Sequence, residues 1–227
     1  MNINELEQTI GYIFTKKEHI ELALTHSSYA NEKKLPANSY NERIEFLGDA
    51  ILEFVTSSFL YTEYPTMNEG EMTKLRAKLV CEESLAASAR EINLGSYLLL
   101  GKGEITTNGN ERDSILSDAF EAVIGAIYMD GGIDNASKFI KKYVLNDIEH
   151  KKLFYDSKTT LQELVQGRFK RTVTYKVIDE NGPQHNKIFT VAAYIGNQRM
   201  ETGKGPSKKA AAQDAAYKTI LMLNQDN

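Results

Sequence analysis

The 227-residue sequence contains a single cysteine, Cys81, and no tryptophan. One cysteine excludes an intramolecular disulfide and any zinc site built from several cysteines. Long apolar runs are also missing, because acidic residues such as Glu53 and Asp118 interrupt each one well short of a membrane span. The N-terminal segment has no basic stretch that leads into an apolar one, so a signal peptide is not expected. These absences predict a cytoplasmic protein without a membrane partner.

Charge is distributed unevenly along the chain. Residues 1–155 carry 16 Lys and Arg against 24 Asp and Glu, a net charge of −8, whereas residues 156–227 carry 11 against 7, a net charge of +4. An acidic part joined to a basic part indicates two domains with different tasks. We place the domains at residues 1–150 and 156–225, with the short segment HKKLFYDS as the linker between them.

The pattern of apolar residues changes at the same point. The acidic part shows helical periodicity throughout, in the segments LEQTIGYIF, HIELALTHSSYA, IEFLGDAILEFVTSSFLY, EMTKLRAKLVCEESLAASAREI, ILSDAFEAVIGAIYMD and IDNASKFIKKYVL. The basic part predicts a helix, three strands and a closing helix that Ser207 caps, in the segments KTTLQELVQGRF, TVTYKVIDE, KIFTVAAYI, RMETGKG and SKKAAAQDAAYKTILML. The fold class is therefore multidomain, an all-α domain followed by an α+β domain.

One predicted helix, NERIEFLGDAILEFV, combines a core-like composition with a stripe of acidic side chains. Glu42, Glu45 and Asp49 share one face of this helix, and Phe46 and Leu52 flank them. Large apolar neighbours are unusual for an acidic face that only meets solvent. Glu53 lies on the same stripe, and we assign it no more than a solvent-facing role.

A second segment, SILSDAFEAVIGAIYMD, repeats this arrangement. Asp118 and Glu121 lie three residues apart on one face, and Gly125 lies on that same side, where the missing side chain lets another helix approach closely. Spacing alone does not show that the two acidic helices meet.

Clustered carboxylates beside apolar groups are costly unless a cation neutralises them. An oxygen-only ligand set suits Mg²⁺ or Mn²⁺ and disfavours zinc. Ions of this kind serve phosphodiester chemistry, because they activate water and screen developing charge. A structural ion-pair network is the open alternative, with Lys74, Arg76 and Lys78 as candidate partners.

Taken together, these segments resemble a known family. NERIEFLGDAIL resembles the signature of bacterial ribonuclease III, and ALTHSSYANE, NEGEMTKLRAKLV and SILSDAFEAVIGAIYMD resemble the segments around it, in the same order. The basic part resembles a double-stranded-RNA-binding domain, from KTTLQELVQ through GPQH to GKGPSKKAAAQDAA. The isoleucine in ERIEFLGD, where the family more usually has leucine, is a conservative departure.

The resemblance implies that residues 1–150 form an endonuclease domain and residues 156–225 bind double-stranded RNA. It implies a homodimer that cuts double-stranded RNA with Mg²⁺, which Mn²⁺ can replace, and that needs no small organic cofactor. The products would carry 5′-phosphate and 3′-hydroxyl ends with short 3′ overhangs. Ribosomal RNA precursors and structured messenger RNAs are the substrates that the family suggests.

The resemblance also implies roles for individual residues. The metal ligands would be four carboxylates, with Asp49 and Glu121 the most critical for catalysis: Glu45, Asp49, Asp118 and Glu121. Glu42 and Glu69 match further acidic positions that line the family's cleft, and Phe46 matches a phenylalanine of the dimer interface.

The basic domain is expected to read the shape of A-form RNA, its 2′-hydroxyls and its phosphates. Gln162 and Glu163 can reach one minor groove, and His185 in the turn GPQH can reach the next. The start of the last helix would meet the phosphates between the grooves with Ser207, Lys208 and Lys209.

Two alternative functions remain at this stage. A catalytically inactive RNA-binding or ribosome-associated protein of the same fold should have lost one of the four carboxylates, and all four are present. A metal phosphohydrolase for small nucleotides would have no use for the basic domain. We interpret His26, a lone histidine at a helix end, as a structural residue.

Overall fold

The structure is a computed structural model that describes residues 2–182 and 187–225. It divides the chain into two units, Met1–Asn146 and Asp147–Asn227. The segment HKKLFYDS, predicted as the linker, is helical and belongs to α9 (Ile148–Phe169). Leu153, inside that segment, packs against the same apolar cluster as Leu161 and Val165, which explains why the helix starts earlier than predicted.

The described part of the first unit consists of α-helices and short 3₁₀ turns. The helices are α1 (Ile3–Ile10), α2 (Lys17–Ala23), α3 (Ser27–Lys33), α4 (Glu42–Glu63), α5 (Glu69–Leu79), α6 (Glu82–Glu91), α7 (Lys102–Thr106) and α8 (Asp113–Tyr143). The 3₁₀ turns are Leu94–Tyr97 and Gly109–Glu111.

Two segments predicted as single helices are each divided in two. HIELALTHSSYA separates into α2 and α3, because the imidazole Nδ1 of His26 caps α3 by accepting the Ser28 N–H at 3.2 Å. EMTKLRAKLVCEESLAASAREI separates into α5 and α6, where the Ser84 hydroxyl donates to the Lys78 carbonyl at 2.8 Å. Side-chain hydrogen bonds of this kind replace the backbone bonds of a continuous helix.

The last two predicted segments of this unit are two helices that follow one another within α8, because the backbone at Gly132 (φ 76°, ψ −176°) is not helical. A positive φ at this position favours glycine.

Helices α4 and α8 cross at the centre of the first unit and supply much of its core. Leu52 and Leu60 of α4 are fully buried, as are Leu116, Phe120 and Ile124 of α8. Helices α2, α5 and α6 pack against this pair, so the backbone path of α4 and α8 is set by close packing.

The second unit has the predicted α-β-β-β-α order. Helix α9 precedes an antiparallel sheet of β1 (Val173–Asn181), β2 (Ile188–Ile195) and β3 (Gln198–Gly205), and α10 (Lys208–Gln225) follows. Leu161, Val165, Ile195, Ala216 and Ile220 form one buried cluster, in which residues of α9, β2 and α10 pack together.

Over the residues that the structure describes, no helix combines the length and hydropathy that crossing a membrane requires.

Candidate active site

Two glycines let α4 and α8 approach each other closely. A Cβ atom on Gly48 would lie 1.8 Å from the carbonyl oxygen of Glu121, and a Cβ atom on Gly125 would lie 2.3 Å from the carbonyl oxygen of Ile44. Both distances are far below van der Waals contact, so a larger residue at either position requires the backbones to separate. The predicted close approach at Gly125 is confirmed, and its partner is the other acidic helix.

This crossing brings acidic side chains from both helices together. Burial raises the pKa of Glu45 to about 7, with further increases from the charges of Asp118, Glu42 and Asp49. Burial likewise raises the pKa of Glu121 to about 8, and the charges of Asp49, Glu45 and Asp118 add to that effect. The four predicted ligands therefore interact with one another, which their positions in the sequence could not establish.

The pKa of Asp118 is also raised, mainly by burial. The charges of Glu82 and Glu42 raise it further, whereas the Ser117 hydroxyl and His26 lower it. Glu82 and His26 are thus neighbours of the site that sequence reasoning did not place there. Neither has a sequence signal for such a role, because packing of α3 and α6 around the core brings them near α8.

The interpretation of His26 as a hydrogen-bonded structural residue agrees with its contacts. Its Nδ1 accepts the Ser28 N–H and lies 2.7 Å from Ser28 Oγ, and that hydroxyl oxygen also accepts the Gly101 N–H at 2.9 Å. The imidazole thus joins the start of α3 to the start of α7 while it influences Asp118.

No basic side chain in the described ranges forms a salt bridge with Glu45, Asp49, Asp118 or Glu121. Arg76, a candidate partner in the ion-pair alternative, bonds instead to Glu53, with 2.8 Å between Arg76 Nε and Glu53 Oε2. The solvent-only role assigned to Glu53 is therefore wrong. Among the described residues the four carboxylates have no Lys or Arg partner, and charges within the set raise the pKa of Glu45 and of Glu121.

The carboxylates do not form a finished coordination shell. Within residues 2–182 and 187–225, no three His, Cys, Asp or Glu side chains are placed to hold a metal ion together as they stand. The donor set nevertheless fits a hard divalent cation, since it offers only carboxylate oxygens and no Lys or Arg among the described residues pairs with them.

The two further acidic positions differ in their surroundings. Glu42 is exposed in the first turn of α4, and its charge acts on both Glu45 and Asp118. Glu69 begins α5 and accepts a hydrogen bond from the Thr73 hydroxyl at 3.1 Å. Glu69 lines a groove beside α4 and is not among the charges that raise the pKa of Glu45, Asp118 or Glu121.

The outer face of α4 exposes a row of aromatic side chains. Phe46 is 79% exposed, Phe54 63% and Tyr61 76%. The neighbouring groove has a volume of about 510 Å³, and its walls include Phe54, Tyr61, Met72 and Arg76. Such exposure of large aromatic side chains marks a surface that is suited to a partner.

The predicted cap of the last helix is confirmed in the second unit. Ser207 Oγ accepts the Ala210 N–H at 3.1 Å. Lys208 Nζ lies 3.3 Å from Glu180 Oε1 and 5.6 Å from the ring centre of Phe189. Lys187, which sequence reasoning missed, binds the other oxygen of Glu180 at 2.6 Å and also lies over Phe189. Lys209 is exposed beside this cluster in sequence.

The two residues of the first helix that were predicted to contact RNA have different surroundings. The side-chain carbonyl of Gln162 accepts the Val173 N–H at 3.0 Å, so part of its hydrogen-bonding capacity serves the fold. Glu163 is exposed. His185 lies outside the described residues.

Comparison with known proteins shows which families the two parts of the chain match. The chain matches the Ribonuclease-III-like family model over residues 16–148 and the double-stranded RNA binding motif over residues 157–223. It is 50% identical over 216 residues to Ribonuclease 3 of Syntrophomonas wolfei, covering 94% of this chain and 90% of that protein. It is 44% identical over 221 residues to Ribonuclease 3 of Bacillus cereus, covering 96% and 90%.

Solved structures give a similar result. The nuclease domain of ribonuclease III from Campylobacter jejuni matches with a TM-score of 0.58 and 40% identity, over 63% of this chain and 93% of that domain. A second structure of that domain matches with a TM-score of 0.57 and 41% identity, over 63% and 98%, and it is described for structural flexibility in a region involved in dimer formation.

Proposed function

The chain belongs to the ribonuclease III family of endoribonucleases, and from that premise we propose that it hydrolyses phosphodiester bonds in double-stranded RNA with the help of Mg²⁺, which Mn²⁺ can replace. The observation that carries this proposal is the meeting of Glu45, Asp49, Asp118 and Glu121 at the crossing of α4 and α8. RNA is a polyanion, so an acidic centre of this kind requires a cation before it can accept a phosphate.

In this proposal Glu45, Asp49, Asp118 and Glu121 hold the cation. When bound, a divalent cation makes a coordinated water easier to deprotonate and stabilises the charge that develops on the departing 3′ oxygen. Glu121, with a pKa of about 8 in the cation-free protein, gives up its proton as the site fills. Asp49 and Glu121 are the two that we propose as most critical, and Glu42 at the rim organises the approach of the substrate.

We propose further that two copies pair through the aromatic face of α4. Phe46, Phe54 and Tyr61 are exposed along one helix, and aromatic side chains of this size bury about 150–250 Å² each. A two-fold axis would place the same face on both copies, with the groove beside Phe54 and Tyr61 available to the partner's aromatic residues. Two cleavage centres on opposite strands would then leave 5′-phosphates and short 3′ overhangs.

The second domain supplies affinity for the duplex. Ser207, Lys208 and Lys209 lie at the start of α10, where backbone N–H groups and positive charge favour phosphate. We propose that Gln162, Glu163 and His185 meet the minor grooves on either side. Binding of this type depends on shape and charge, so weak sequence preference and strong salt dependence are expected. Precursors of ribosomal RNA and structured messenger RNAs are the proposed cellular substrates.

A cleavage assay on a long RNA duplex tests this function. Wild-type protein with Mg²⁺ should cut the duplex. Glu121→Gln should lower the rate more than about 100-fold, since even residues that only support a metal ligand typically cost 10–100-fold. Duplex binding by the same variant, measured by gel shift with Ca²⁺ in place of Mg²⁺, should stay within about threefold of wild type. If wild-type protein binds the duplex and does not cut it, the inactive alternative of the same fold is correct.

A further inference from the structure

A fifth carboxylate stands at the edge of the four-carboxylate cluster. Glu53 follows Asp49 by one turn of α4, and its charge contributes to the raised pKa of Glu121. Unlike the other four acids, Glu53 has a basic partner among the described residues, the guanidinium of Arg76 in α5. The sequence around Glu53 gives no sign of this pair, because its two members come from different helices.

Directional contacts hold Arg76 in place. Its Nε lies 2.8 Å from Glu53 Oε2, and its Nη1 donates to Ser57 Oγ at 2.8 Å. Ser57 in turn donates to the backbone carbonyl of Glu53 at 2.6 Å. The Arg76 and Glu53 side chains are 37% and 38% exposed. A planar guanidinium held by two acceptors on successive turns of α4 has a defined orientation, which a flexible ammonium group would lack.

The net charge around the proposed cleavage centre has opposite effects on the affinity for a cation and on the affinity for RNA. An additional uncompensated carboxylate strengthens the attraction for a divalent cation, and the same charge repels the phosphodiester backbone that must also approach. A carboxylate paired with a guanidinium contributes less net charge at the distance of the cluster than an unpaired carboxylate does.

We propose that Arg76 is a positioning residue for the cation site, because its guanidinium offsets part of the charge that Glu53 exerts on the four carboxylates. This inference rests on the proposed function, since it concerns the cation that the four carboxylates would bind. It assigns Arg76 and Glu53 a role in setting the balance between cation affinity and substrate affinity.

Binding of Mn²⁺ to the full-length protein, followed by electron paramagnetic resonance without RNA, provides a readout that does not depend on cleavage. Arg76→Met should tighten Mn²⁺ binding by about three- to tenfold, because the charge of Glu53 then acts on the cluster without a guanidinium to offset it. Glu53→Gln should weaken it by a similar factor, because the charge of Arg76 is then uncompensated. The double variant should return to within about twofold of wild type.

Lys74→Met is the matched control. Lys74 is an exposed residue of the same helix, two positions before Arg76, and the substitution changes the net charge by the same amount. Mn²⁺ affinity should then change by less than about twofold, because an exposed charge is screened by solvent and salt.

Kinetics on duplex RNA give a second readout. Arg76→Met should raise KM, and Glu53→Gln in that background should restore it. If the two single variants change Mn²⁺ affinity in the same direction, or if the double variant does not recover, the pair is only structural and the inference is wrong. If Arg76→Met does not fold, the Mn²⁺ affinity of Glu53→Gln tests the inference alone. Weaker binding supports the inference, and unchanged or tighter binding contradicts it. If the proposed function itself is wrong, the result is different: the wild-type protein then shows no Mn²⁺ binding that Glu121→Gln abolishes.

Discussion

At the scale of single residues, the free energy of unfolding depends on whether Glu45 and Glu121 are protonated. Their folded-state pKa values of about 7 and about 8 lie above the ordinary value of 4.5. The stability that the protonated forms contribute is therefore fully present below about pH 4.5 and is lost as the pH rises through 7 and 8. Both carboxyl groups are partly exposed, so solvent screening reduces this effect to the order of 2 kcal/mol.

This relation predicts the pH dependence of thermal unfolding in the cation-free protein. The melting temperature of the nuclease unit should fall by about 2–4 °C between pH 6 and pH 9, because about half of the effect is already lost between pH 4.5 and pH 6. Mg²⁺ should reverse most of that fall, because a cation stabilises the ionised carboxylates. Glu121→Gln should be more stable at pH 9 than wild type without a cation, as measured by calorimetry. A melting temperature that does not change over this range would contradict the assigned environment of the two carboxyl groups.

At the scale of helices, the close approach of α4 and α8 at Gly48 and Gly125 brings the carboxylates of the candidate site together. Gly48→Ala would place a methyl group 1.8 Å from the Glu121 carbonyl oxygen, so α4 and α8 must separate. Overpacking of this kind costs about 1–3 kcal/mol, and sometimes more. We expect a lower melting temperature and a loss of cleavage larger than the loss of stability explains, because the separation also moves the carboxylates apart.

Gly103→Ala is the matched control for this prediction. Gly103 lies in helix α7, and no atom lies within 4 Å of a Cβ built there. Alanine in such a position should leave the stability unchanged or raise it by up to about 1 kcal/mol. If Gly48→Ala behaves like Gly103→Ala in calorimetry and in cleavage, the close crossing of the two helices is wrong.

The helices also show which structural features can be predicted from the sequence and which cannot. Apolar periodicity is sufficient to predict α4, α8 and the α-β-β-β-α order of the second unit, because these elements bury one continuous face. The breaks around His26 and Cys81 were missed, since they depend on local side-chain hydrogen bonds that interrupt an unbroken periodic pattern. The early start of α9 depends on the packing of Leu153 in the folded unit.

The same limit applies to the candidate site. The resemblance to ribonuclease III predicts the four carboxylates as candidate metal ligands, and spacing places each pair on one helical face. The crossing of α4 and α8, the pairing of Glu53 with Arg76 and the influence of Glu82 on Asp118 are contacts between distant segments. Such contacts follow from tertiary packing, which one sequence without its fold does not specify.

At the scale of the whole molecule, the exposed aromatic face of α4 predicts the oligomeric state. Phe46→Asp should convert a dimer into a monomer, because it places a charge in the centre of an apolar contact. Light scattering on the full-length protein measures this directly. A fragment of residues 1–150 should remain dimeric and cut weakly at low salt, since α4 lies within it and the RNA-binding domain does not.

Ile13→Asp provides the comparison for Phe46→Asp. Ile13 is 78% exposed, almost as much as Phe46, but it lies outside α4. This variant should keep the wild-type mass in solution. A monomeric wild-type protein, or equal behaviour of the two variants, would show that the aromatic face of α4 is not the dimer interface.

The proposed cleavage reaction requires a cation that binds between α4 and α8. Anomalous diffraction from crystals of the full-length protein soaked in Mn²⁺ locates such an ion without reference to activity. We predict an anomalous peak bounded by oxygens of Glu45, Asp49, Asp118 and Glu121, at metal–oxygen distances of about 2.0–2.3 Å. The absence of a peak at the crossing, with manganese bound at other surface acids of the same crystal, would contradict the account.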